Sequence, residues 1–348
     1  MSDDKAKCPA CGSADVASIL YGYPALTDEL KRQIDAGEVV LGGCCITPGK
    51  EMPSFECREC GAKFTRAEAG KPSPRAYFSE GDLAWLHRLA DCGTSDGKPF
   101  IDDVEEAGAC ADVARAVLFR NFGSLAAGVQ KHGRLLGCSR AFAKALTMGL
   151  EYGAVCGNGP CATELGALYY NGEGVGQDYA AAQKWYERGE ELGEIQSIIN
   201  LGYIYEYGRN GERDQRKAYL QYAKAAALDN APEAIYKMGD IHSRGRLGGS
   251  DKALAYRLYE RSLSVAQQRG DLANASQAAL RVAGFIGDEE NTRYGAPYDP
   301  FRALELYQLA ERGLRLDIAN GLTYYRKRLA EVLKGQESMR GKLTFFLR

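Results

Sequence analysis

Residues 165–193 read LGALYYNGEGVGQDYAAAQKWYERGEELG. The opening Leu165-Gly166 returns as Leu201-Gly202, Met238-Gly239 and Ala283-Gly284. Behind each copy stands an Ala followed four residues later by a Tyr: Ala182/Tyr186, Ala218/Tyr222, Ala255/Tyr259 and Ala303/Tyr307. The first three glycines are 36 and 37 residues apart, and the fourth follows after 45. A period in the thirties marks stacked helical hairpins. Each copy therefore predicts a helix A, a loop, a helix B and a turn. Helix A is expected over roughly 161–171, 196–208, 231–244 and 272–287, and helix B over roughly 178–192, 214–229, 250–268 and 299–314. Asp178, Asp214, Asp251 and Asp299 open the B helices. A carboxylate there accepts free backbone N–H groups and meets the positive end of the helix dipole. Helices this short are marginal alone in water, so they must be held by stacking.

Gly166 and its equivalents remove a side chain where helix A meets helix B, and the Ala/Tyr pair fills the same seam. The last copy departs from the period. Its extra residues fall in Val265–Ser276 and Asp288–Tyr298, and such insertions land on one surface of a helical stack. A final helix over about Ile318–Lys334 places Ile318, Leu322, Tyr325, Leu329 and Val332 on one face, with Arg326, Lys327 and Arg328 toward solvent. It reads as a capping helix. Upstream, Ser79 with Asp82 predicts a capped start for a helix over Leu83–Ala90. Helical patterning also covers Asp112–Val129 and Ser139–Leu150, a candidate degenerate repeat. Between 66 and 78, Gly70, Pro72 and Pro74 predict irregular chain.

The unit at 165–193 resembles the Sel-one-like repeat, a relative of the tetratricopeptide repeat. Leu165, Gly166, Leu168, Tyr169, Gly172, Gly174, Val175, Asp178, Ala182, Trp185, Tyr186 and Gly193 carry the likeness. The second and third units keep LGYIYEYG and MGDIHSRG but lose the Trp, and the fourth is looser. The resemblance implies an α/α superhelix that serves as an adaptor or scaffold, without chemistry of its own. Gly172, Gly174 and Gly176 mimic a phosphate loop. No strand precedes them and no Lys-Ser/Thr follows, so they read as the interhelical turn.

Residues 1–64 hold a different signal. CPACG and CRECG place Cys8, Cys11, Cys57 and Cys60 in two knuckles. Four thiolates make a closed tetrahedral site for Zn²⁺. The 45 residues between Cys11 and Cys57 exceed the usual spacing. Loop-closure entropy grows slowly, and the excess costs only about 0.8 kcal/mol. A structural zinc supplies roughly ten times that. Val16–Tyr21, Val39–Cys44 and Ala62–Thr65 look like short strands, and Thr27–Asp35 like a helix ended by Gly37. Ile19–Pro24 and Gly37–Cys45 resemble a small bacterial zinc-ribbon family. Cys44 and Cys45 are adjacent, so in a strand only one could face the metal. With no histidine in this region to activate either, both read as idle thiols. Cys156 and Cys161 bracket a turn ahead of the first repeat.

The expected fold class is mainly α: an α/α solenoid of helical hairpin repeats preceded by a small β-rich zinc ribbon. The division is 1–65 ribbon, 66–78 linker, 79–160 helical region, 161–315 repeats, and 316–348 cap and tail. Net charge is −2, and residues 1–64 carry 7 Lys+Arg against 10 Asp+Glu. That balance disfavours nucleic acid and anionic membrane. No apolar run of signal-peptide or spanning length occurs, and eleven cysteines, an odd number, do not suggest a disulfide framework. The expected compartment is the cytoplasm. The leading expectation is a non-enzymatic interaction protein with a structural Zn²⁺, gripping a protein or peptide partner in a repeat groove lined by Asn200, Tyr203, Tyr207, Lys237, Asp240 and Arg244. The alternative is a zinc-ribbon nucleic-acid-binding regulator whose repeats recruit partners. A cysteine-dependent enzyme ranks last, because no acid, base and nucleophile set appears.

Overall fold

A four-stranded sheet and a tandem series of helical hairpins make up the computed structural model, which is mainly α. It describes residues 6–42 apart from 10, 23 and 25, residues 52–91 apart from 67, and residues 103–136 and 139–346. Cys44 and Cys45 lie outside the described residues. The chain divides into two units, Met1–Asp178 and Tyr179–Arg348.

In the first unit, β1 (Val16–Leu20) pairs in parallel with β2 (Val39–Leu41) across the helix α1 (Asp28–Asp35). Thr27 caps α1 by accepting the Leu30 N–H, and Gly37, at φ +71°, turns the chain back toward β2. β3 (Phe55–Cys57) joins the other edge of β1, antiparallel, and β4 (Lys63–Phe64) joins β3, giving the order β2-β1-β3-β4. The sequence reading passes over β3. Three residues are too few to show a period of two. The strand exists because Val16 and Ser18 pair with Cys57 and Phe55.

A short helix, α2 (Pro74–Tyr77), forms where the prolines predict irregular chain. Pro74 occupies the first helical position, whose N–H no helix uses, and the Ser73 side chain accepts the Ala76 N–H. The segment leading into it is tied twice. Gly70 N–H donates to the Lys7 carbonyl, and the Tyr152 hydroxyl donates to the Pro72 carbonyl at 2.7 Å. Then come α3 (Glu80–Ala90), α4 (Val104–Leu118), α5 (Phe122–Leu136), α6 (Arg140–Val155) and α7 (Gly159–Asn171). Ser79 caps α3 as expected. The single helix expected over Asp112–Val129 is two. Arg120 takes φ +57°, a left-handed conformation that no α-helix continues through.

The second unit contains α8 (Tyr179–Glu191), α9 (Ile195–Tyr207), α10 (Gln215–Asp229), α11 (Pro232–Ser243), α12 (Lys252–Gln268), α13 (Leu272–Ile286), α14 (Pro300–Ala319) and α15 (Arg326–Phe346). α9 packs on α10, α11 on α12, α13 on α14, and α14 on α15. Asp214, Asp251 and Asp299 cap their helices by accepting the Lys217, Leu254 and Arg302 N–H groups at 2.8–2.9 Å. Each also donates its own N–H back to the end of the preceding helix, to Tyr205, His242 and Ile286. One residue thus starts helix B and closes the hairpin. Asp178 makes the same bond to the Tyr169 carbonyl inside the first unit. The fourth hairpin needs a longer reach, and a 3-10 turn at Glu289–Tyr294 takes up the insertion.

The seam glycines act as expected in two copies. A Cβ on Gly202 would stand 2.4 Å from the Tyr222 ring, and one on Gly239 would stand 2.5 Å from the Tyr259 ring. Gly284 departs from this. A Cβ there would meet only the Tyr307 hydroxyl at 3.9 Å, because the Tyr307 ring lies against Gly335 of α15. Gly202→Ala and Gly239→Ala should each cost about 1–3 kcal/mol through overpacking. Gly284→Ala should be neutral or stabilising by up to about 1 kcal/mol, from helix propensity alone. Urea melts of the three variants distinguish the two seams.

The capping helix differs from its expected span. α14 runs on through Ile318 to Ala319, and α15 starts at Arg326. Gly321, at φ +98°, separates them, although the apolar spacing of Ile318 and Leu322 runs across the break. Arg328 is not turned to solvent. It is half-buried and donates to Gln277 Oε1 at 2.5 Å.

Candidate functional site

The two cysteine knuckles meet at one end of the sheet. Cys8 Sγ lies 3.6 Å from Cys60 Sγ, and Cys11 Sγ lies 3.5 Å from Cys57 Sγ. All four sulfurs fall within 4.8 Å of one another. Sulfurs placed tetrahedrally about 2.3 Å from a zinc ion stand about 3.8 Å apart, so the set has the right size. The two halves are built alike. Gly12 and Gly61, at φ +79° and +70°, let the chain fold back so that their N–H groups reach the Cys8 and Cys57 carbonyls at 2.9 Å. Burial raises the Cys57 thiol, but the backbone N–H groups of Cys60 and Glu59 and the neighbouring thiols bring it down to about 7. The Ser13 N–H lowers Cys11, but desolvation and the other three thiols outweigh it and push Cys11 up to about 12. Four sulfurs this close cannot all ionise unless a cation joins them. Cys8, Cys11, Cys57 and Cys60 could hold a metal ion.

In the second unit the residues expected to line a groove separate into two groups. Tyr207 is 40% exposed and Arg244 is exposed, while Asn200 and Tyr203 are half-buried. Lys237 and Asp240 are each only 6% exposed, which corrects their placement on an open face. Both belong to ion pairs between neighbouring hairpins. Lys237 Nζ lies 3.0 Å from Glu206 Oε2 and 4.1 Å from the centre of the Tyr203 ring. Glu206 also accepts the Tyr222 hydroxyl at 2.8 Å and Arg246 Nη1 at 2.7 Å. Burial would raise the Glu206 carboxyl, but Lys237, Tyr222 and Arg246 together hold it below its ordinary value. Asp240 accepts Arg281 Nε at 2.7 Å and Nη2 at 2.6 Å, and the Tyr259 hydroxyl at 2.9 Å. Burial acts against its charge, yet Arg281 and Tyr259 bring it down to about 2. Buried charges need such complete pairing.

Sequence reasoning missed Glu206, Arg246 and Arg281. Glu206 left one sign. It follows Gly202 by four residues, so it shares the helix face that receives the Tyr222 ring. A carboxylate on that seam must find a partner. Asp240 and Arg281 left none, because they meet across 41 residues from successive A helices. The remaining described cysteines are buried and free: Cys110, Cys156 and Cys161. Burial raises all three thiols, Cys110 and Cys161 to about 12. They are poor nucleophiles.

Residues 159–194, 195–230, 232–264 and 276–313 match the Sel1 repeat family. The chain carries four Sel1 repeats. Sel1 repeat proteins generally serve as protein–protein interaction scaffolds and are typically non-enzymatic. Among solved structures, the chain is similar to a Sel1 repeat protein from Oxalobacter formigenes. That likeness has 19% identity and a TM-score of 0.44, and covers 68% of this chain and 85% of the other. It is also similar to c5321, a protective antigen present in uropathogenic Escherichia coli strains displaying an SLR fold. There the identity is 18% and the TM-score 0.40, covering 75% of this chain and 62% of the other. No curated protein matches the chain significantly. Among the described residues, no helix is long and apolar enough to cross a membrane.

Proposed function

We propose that the chain is a non-catalytic scaffold. Its Sel1 repeats grip a protein or peptide partner, and a structural Zn²⁺ on Cys8, Cys11, Cys57 and Cys60 holds the amino-terminal ribbon together. The four tandem Sel1 repeats carry the scaffold reading. The convergence of four thiols supports the zinc. Zinc here would serve as a cross-link, because four thiolates leave no open position for water or substrate. The division into ribbon, linker, helical region, repeats and cap given above belongs to the same proposal. The buried free thiols Cys110, Cys156 and Cys161 support a reducing compartment such as the cytoplasm.

Asn200, Tyr203, Tyr207 and Arg244 are the partner-facing candidates, whereas Lys237 and Asp240 serve the interior. The test is affinity capture from the native cells with full-length protein. Wild type should recover a specific partner, and Asn200→Arg/Tyr207→Ala should reduce that recovery by about tenfold, the effect of losing a central aromatic contact. Undiminished recovery by the double variant would remove this face from the assignment. Wild type that captures nothing above a mock control would remove the scaffold reading.

A further inference from the structure

A concavity of about 360 Å³ opens in the second unit, lined by residues from the end of α11, α12, α13, the 3-10 turn and α15. That volume suits one or two side chains or a small ligand. On one side lies the Asp240–Arg281 pair, already neutral and held by Tyr259. The other charged residues lining it are Arg244, Lys252, Arg328 and Glu331, three cations against one anion. None of these three cations has a carboxylate within 4.0 Å among the described residues. Arg328 donates to Gln277 Oε1 and lies 5.5 Å from the centre of the Tyr325 ring, so both of its partners are uncharged. The whole chain is slightly acidic, so this excess is local. Like charge gathered in a concavity is focused there.

We infer that this concavity binds a carboxylate side chain presented by an acidic peptide segment of the partner. The inference rests on the scaffold reading for the partner's being a protein. A nucleic acid fits less well. It needs cations strung along a path, whereas these converge on one hollow. Leu280 and Phe285 add apolar wall for the stem of an acidic side chain.

The experiment uses full-length protein and a fluorescein-labelled Gly/Ser peptide with a central Glu-Glu pair, followed by polarisation at low salt. A Gln-Gln peptide should bind about tenfold more weakly. Arg244→Ala/Lys252→Ala should weaken Glu-Glu binding by about fivefold or more, as expected for removing steering charge. Glu331→Lys should tighten it, a result that misfolding cannot produce. Equal binding of both peptides, or no change in either variant, overturns the assignment. Tighter binding of an oligothymidylate than of the Glu-Glu peptide overturns it in favour of nucleic acid. If Arg244→Ala/Lys252→Ala still recovers the cellular partner in full and leaves peptide binding unchanged, the pocket assignment fails while the scaffold reading stands. If peptide binding behaves as expected but wild type captures no cellular partner, the scaffold reading fails and the pocket stands.

Discussion

Cys57→Ser is expected to abolish metal retention and to unravel the amino-terminal sheet. The sheet has little else to hold it. β2, β3 and β4 are two or three residues long, and an isolated sheet of that size is not stable in water. Its core cluster consists of Cys8, Cys57 and Phe64, and two of those three are the proposed ligands. Val16, Phe55, Ala62 and Ala69 pack against it only partly buried, so without the metal cross-link the apolar cluster is thin. A structural zinc contributes about 10–16 kcal/mol in small metal-bound folds. Metal analysis should give about one zinc per chain for wild type and under a tenth of that for Cys57→Ser. Hydrogen exchange should show β1 and β3 losing protection while α9–α14 keep theirs. Retention of both zinc and sheet protection in Cys57→Ser would end the structural-zinc reading. Cys110→Ser, a buried thiol outside the cluster, is the control.

The hairpin series was legible because one packing problem recurs. Each seam needs a residue without a side chain, a ring to fill the space, and a carboxylate to start the second helix. Gly202/Tyr222/Asp214 and Gly239/Tyr259/Asp251 answer it in the same way, so the answer shows as a period. The knuckles were legible for a related reason, since two ligands within four residues must share a turn. What was hidden depends on residues far apart in the chain. β3 is a strand only because β1 lies beside it. Gly284 looks like a fourth seam glycine, but Tyr307 turns to Gly335, which no period places. The break at Gly321 and the left-handed Arg120 are single-residue events inside continuous apolar patterns. The two buried ion pairs join successive hairpins, and a pattern read within one hairpin does not contain them. Two of the residues expected in a groove, Lys237 and Asp240, therefore serve cohesion between hairpins.

Asp240→Ala should destabilise the second unit by about 3–5 kcal/mol, because it leaves the Arg281 guanidinium buried without its counter-charge. Arg281→Ala should cost a similar amount by stranding Asp240. The pair spans successive A helices, α11 and α13, so either loss also loosens one hairpin from the next. Replacing both by Leu should cost less than the two single losses together, with a coupling energy of about 2 kcal/mol or more, since no charge is then left unpaired. Repeat arrays open locally, so urea melts should be read alongside hydrogen exchange in α11 and α13. Additive costs would mean that the two side chains do not depend on each other. The same pair sets an acid limit. Asp240 falls from its ordinary 3.8 to about 2 in the fold, so the folded protein keeps it ionised longer than the unfolded chain does. Its contribution is complete above pH of about 4 and is lost as pH falls through about 2, a difference of about 2 kcal/mol. Glu206 is depressed as well and acts in the same direction. Stability measured from pH 5 down to pH 2 should therefore fall more steeply in wild type than in Asp240→Asn, which has no proton to gain at that position. Parallel curves would show that the Arg281 pairing does not stabilise the ionised carboxylate in solution.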